Sequence, residues 1–89
     1  MGRYVIERGL PGAGQLSDEQ IHDISAKSNE VLSGMQGISW VESYVTDDKI
    51  YCVYDAEDPD QIREHAQRGG FPADAISEVR RTIDPSTGA

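Results

Sequence analysis

The apolar positions of this chain fall into a repeating order of strand-like and helix-like stretches. Residues 3–8, Arg-Tyr-Val-Ile-Glu-Arg, are rich in β-branched and aromatic side chains and stop at Gly9, which predicts a first strand. Leu10-Pro11-Gly12-Ala13-Gly14 reads as a loop by its glycines and proline. Ile21, Ile24, Ser28, Val31, Leu32 and Met35 then recur at helical spacing. Ser17 is the predicted N-cap of that helix, and Gln20 at N3 completes a capping box. Asp18 and Glu19 in the first turn suit the helix dipole. Gly34 and Gly37 mark its end.

Residues 38–46 and 49–55 predict a hairpin across Asp47-Asp48. A two-residue loop sets the pairs Thr46/Lys49, Val45/Ile50, Tyr44/Tyr51, Ser43/Cys52, Glu42/Val53 and Val41/Tyr54. One face then carries Val41, Ser43, Val45, Ile50, Cys52 and Tyr54. The other carries Trp40, Glu42, Tyr44, Thr46, Lys49, Tyr51 and Val53. Asp-Asp is weaker turn chemistry than Asn-Gly, which leaves a one-residue slip open. Asp58 and Pro59 open a second helix as N-cap and N1, with Ile62, His65 and Ala66 as its inward stripe and Gly69-Gly70 at its end. Residues 76–83 give a last strand. Residues 1–84 are expected to form a single domain and residues 85–89 a disordered tail.

The order βαββαβ predicts an α+β, ferredoxin-like sandwich. Right-handed crossovers place both helices on one face of a four-stranded antiparallel sheet. The expected open face bears Trp40, Tyr44, Tyr51 and Val53, with Tyr4 and Ile6 beside them. So aromatic a surface predicts a homodimer packed sheet to sheet. A domain of 89 residues is small enough for such added burial to matter.

Composition narrows the choice of partners. The net charge is −8 and the pI about 4.5, which disfavours nucleic acid and anionic membranes as ligands and favours cations. One cysteine excludes an intrachain disulfide and fits a reducing compartment. The N-terminus enters a strand with no apolar leader, so a cytoplasmic protein is expected. No CxxC, HxxxH, HExxH or GxSxG is present, nor a nucleotide or haem motif, and an enzyme is the less favoured class.

Three groups of residues could carry chemistry. Cys52 and His65 are polar residues at positions patterned as core, with Ser43, Tyr54 and (if Val5 faces inward) Glu7 around them as a pocket. Such a set suits a reactive thiolate, a soft metal site, or a packed thiol beside a hydrogen-bonded imidazole. Asp18, Glu19 and His22 share one surface of the first helix at i, i+3 and i, i+4, either as a divalent-metal site or as a solvated helix start. The acid run Asp55, Glu57, Asp58, Asp60 lacks the glycine and terminal Glu of an EF-hand loop, and weak cation attraction is its expected limit.

Tyr51-Cys52-Val53-Tyr54, Asp58, Ile62-Arg63-Glu64-His65-Ala66, Gly70-Phe71-Pro72-Ala73, Ile76 and Glu78-Val79 form a pattern, with Tyr4-Val5-Ile6-Glu7-Arg8 before it. In these residues the chain resembles a small bacterial family of ferredoxin-like proteins, mostly of unknown function, that includes an actinobacterial nickel-binding protein. The resemblance implies a ferredoxin-like homodimer and binding of Ni²⁺. The expected role is nickel sequestration or tolerance, and the chain's own imidazoles and carboxylates, His65, His22, Asp18 and Glu19, are the expected ligands, completed at or near the dimer surface. The alternative is an enzyme or small-molecule-binding module built around Cys52 and His65.

Overall fold

Ser17 and Asp58 fix where the two helices begin. The Ser17 hydroxyl accepts from the Gln20 amide at 3.1 Å, and the Gln20 side chain accepts from the Ser17 amide at 2.9 Å. Asp58 accepts from the amides of Asp60 and Gln61, with Pro59 following it. From these caps run α1, Asp18–Ser33, and α2, Pro59–Gly69. Gly70 closes α2 in the left-handed region at φ 70°, a conformation that favours glycine.

In this computed structural model, which describes residues 1–89, the strands are β1 Gly2–Gly9, β2 Ile38–Val45, β3 Lys49–Ala56 and β4 Ala75–Glu78. They form one antiparallel sheet in the order β2-β3-β1-β4, completing the expected α+β ferredoxin-like architecture. The hairpin register agrees with the expected one from Val45/Ile50 through Glu42/Val53. There it breaks, because Val41 is bulged out and Trp40, not Val41, stands opposite Tyr54.

That extra residue turns Trp40 over to the helix side, where Nε1 donates to Ser43 Oγ at 2.9 Å. It leaves Val41 43% exposed. Tyr4 and Ile6 also face the helices rather than the open side, packing with Cys52, Tyr54, Ala56 and Ile62 in the core. The reason is pairing: Tyr4 lies opposite Tyr54 and Ile6 opposite Cys52, so the pleat carries both inward. The alternate set, Val5 and Glu7, therefore faces out. The open face that remains carries Val5, Tyr44, Tyr51 and Val53 among ion pairs, Arg3–Asp55 at 2.8 Å and Lys49–Glu7 at 3.5 Å.

β4 is shorter than residues 76–83. Tyr4 pairs with Glu78 and the Val79 amide donates to Arg3 O, after which β1 has almost run out and the chain has nothing to pair with. Residues 85–88 form a single 3-10 turn, Pro85–Gly88, capped by Asp84 and exposed.

Candidate functional site

A cavity of about 220 Å³, partly open to solvent, lies between α1 and the β2-β3 half of the sheet. Each wall follows from the elements above. The inward stripe of α1 contributes Ile21, Ile24, Ser25 and Ser28. The hairpin contributes Trp40, Ser43, Val45, Ile50, Cys52 and Tyr54. Arg8 and Leu10 close it from the end of β1, and Gly70, Phe71 and Pro72 from the turn after α2.

The loop after β1 is held close by the hairpin turn. Leu10 N donates to Asp48 O at 2.9 Å and Gly14 N to Asp47 O at 3.0 Å. A Cβ at Gly14 would meet Asp47 Oδ1 at 2.9 Å and Asp47 Cα at 3.0 Å, so this approach requires a glycine.

Within the wall runs a set of polar groups. Arg8 is buried, its Nε donating to Cys52 Sγ at 3.4 Å and its Nη1 to the carbonyl of Pro72. Its Nη2 has no partner in the chain. The guanidinium carbon lies 5.9 Å from the centre of the Tyr54 ring and 5.7 Å from that of Phe71.

His65 stands behind the wall rather than in it. Its ring is fully buried between Tyr54, 5.3 Å away, and Phe71, 5.6 Å away. Nε2 and Ser28 Oγ are 3.2 Å apart, and Nδ1 has no partner. Burial holds His65 below its ordinary range, the charge of Arg8 adds to this, and hydrogen bonding at Ser28 opposes both. Burial likewise pushes the Tyr54 phenol up, against the opposing influence of Arg8.

The structure thus brings Cys52, Ser43 and Tyr54 to one cavity and sets His65 directly behind Tyr54. Glu7 is not with them; it pairs with Lys49 on the opposite face of the sheet. Arg8 takes the place expected for Glu7, one residue further along β1 and hence on the other side of the pleat. Arg8, Phe71 and Trp40 are the main site residues that sequence reasoning did not place there. The available signal for Arg8 was its spacing of two from Ile6, usable only once Ile6 is known to face inward.

Asp18, Glu19 and His22 are exposed on the first turns of α1, while His65 is buried against α1 from the other helix. No three side chains among His, Cys, Asp and Glu come together in a way that could hold a metal ion. His65 meets a hydroxyl and two rings instead of carboxylates. The donor set of one chain therefore does not fit a nickel site.

A family model described as nickel responsive protein SCO4226-like matches residues 4–79, across both helices and all four strands. The chain belongs to the SCO4226-like family. Among solved structures, this SCO4226-like protein is similar to SCO4226 from Streptomyces coelicolor A3(2), with a TM-score of 0.76 at 19% identity over 91% of this chain and 99% of that one. At that identity the likeness establishes the fold. No curated protein matches the sequence. The family description attaches a nickel-related role to this SCO4226-like fold, and no helix is long and apolar enough to cross a membrane.

Proposed function

We propose that this SCO4226-like chain is a small-ligand-binding protein that serves a nickel-linked response, and that it works as a cytoplasmic homodimer. The observation that carries the reading is the cavity: a largely apolar space whose wall brings a buried arginine, three serine hydroxyls and a thiol to one place. Concave, apolar sites with a few convergent polar groups are the usual form of ligand pockets. The one hydroxyl–imidazole contact there, Ser28 Oγ to His65 Nε2 at 3.2 Å, lacks the third group that would orient an imidazole base, because His65 Nδ1 has no partner. Binding is therefore favoured over catalysis. The single free cysteine fits a reducing compartment, and the open face bearing Tyr44, Tyr51 and Val53 offers a surface for a second copy.

Small uncharged aromatic alcohols test the reading. A ligand that binds only the folded state raises the melting temperature. A Ser25→Phe variant, which fills the cavity, should abolish that rise. If wild type and variant respond alike, the cavity is not the site.

The family description favours a second reading, direct binding of nickel. One chain lacks the donors, so His22, Asp18 and Glu19 would have to be completed by a second subunit, drawn by the acidic field of the chain. Calorimetric titration of tag-free protein with Ni²⁺, Zn²⁺ and Co²⁺ distinguishes the two. Micromolar or tighter binding that weakens at least about tenfold in His22→Ala supports a metal protein. Weak binding indifferent to His22 leaves only surface attraction.

A further inference from the structure

The cavity wall holds a positive charge that nothing in the chain neutralises. Arg8 is only 5% exposed, takes part in none of the ion pairs, and is the only charged residue lining the cavity. Two of its nitrogens are hydrogen-bonded and Nη2 is not. The two ring faces nearby compensate such a charge only in part. Unpaired buried charges are costly, and proteins that keep one usually have a counter-charge to meet it.

We propose that this counter-charge is the ligand: a small monocarboxylate with an apolar body, aromatic or short-chain, whose carboxylate pairs with Arg8. The inference rests on the ligand-binding reading above and names its ligand class. One cation in the wall matches one negative charge. A phosphate dianion would find too few donors there and would meet the repulsion of a chain carrying −8. The hydroxyls of Ser25 and Ser43 supply further donors for carboxylate oxygens, since Ser43 Oγ only accepts, from Trp40 Nε1. At about 220 Å³ the space exceeds the roughly 150 Å³ known to admit benzene, leaving room for one ring or short chain and its carboxylate. Nη2 is the one guanidinium nitrogen without a partner in the chain, and the carboxylate would supply it.

Trp40 is the only tryptophan and lines the cavity, which makes its fluorescence a direct report of occupancy. Benzoate and benzyl alcohol have nearly the same shape and differ in charge. Titrated at neutral pH into the full chain, benzoate should bind wild type at least about tenfold more tightly. Arg8→Met should remove that preference. Equal affinity of the two probes in wild type overturns the carboxylate inference and leaves the ligand-binding reading standing. No saturable response to either probe overturns both. A preference that survives in a folded Arg8→Met overturns the role of Arg8. The wild-type comparison needs no variant, so a failure of Arg8→Met to fold does not shield the inference.

Discussion

Ser28 of α1 and His65 of α2 lie hydroxyl to imidazole, 3.2 Å apart, and join the two helices through a buried polar contact. The contact leaves the other ring nitrogen, Nδ1, without a partner. A second proton on the ring would create an imidazolium in a dry space already holding the Arg8 cation.

Stability should therefore fall in mild acid. The folded state holds His65 below the ordinary value of 6.5, so the unfolded chain binds the extra proton first. The contribution is complete above that value and is lost progressively as pH drops below it, until the depressed folded-state value is passed. Urea midpoints at about pH 7.5 and about pH 5.5 measure the loss, and His65→Gln should flatten it. Equal slopes in both proteins would remove His65 as the cause.

Ile62 is fully buried at the centre of the core, on the inward stripe of α2. Ile62→Ala should destabilise the fold by about 2–5 kcal/mol, because both transfer energy and packing are lost. Removal of the α2 cap in Asp58→Ala should cost only about 1 kcal/mol. Denaturant unfolding checks the order; a reversed ranking would mean that α2 is not the main cover of this core.

Gly14→Ala should cost about 1–3 kcal/mol, since the new methyl meets the Asp47 backbone at 3.0 Å. Gly12→Ala is also strained, by its φ of 80°, but meets no atom. Relief of the Gly14→Ala defect by a second change at Asp47 would not be expected, because backbone as well as side chain is in the way. Thermal melts of the single and double variants decide this.

On the open sheet face Tyr51 stands between Tyr44 and Glu7 in register. If this face joins two copies, Tyr51→Arg buries an unmatched charge and should give monomers by sedimentation velocity. A wild type that is already monomeric at about 100 μM would remove the sheet-to-sheet dimer altogether.

The sequence by itself determined what short-range geometry decides. The capping box at Ser17 and Gln20, the Asp58-Pro59 start, the stops at Gly34 and Gly70 and the two-residue turn at Asp47-Asp48 each depend on neighbours a few residues away. Together with the βαββαβ order they specify the fold. Which side of the sheet each residue occupies was legible only where apolar and polar positions alternate. Tyr4-Val5-Ile6 has no such alternation, and both of its sets continue into a charge, Arg8 or Glu7. Only pairing with Tyr54 and Cys52 decides that Arg8 enters the cavity and Glu7 leaves it. Trp40 is similar: a single bulged residue reverses its face, and a bulge is selected by packing across the sheet rather than by the strand's own pattern. The candidate site was half visible for this reason, with Cys52, Ser43 and Tyr54 read from the hairpin. Its buried charge belonged to the tertiary structure, because the burial of an arginine depends on the elements that close over it.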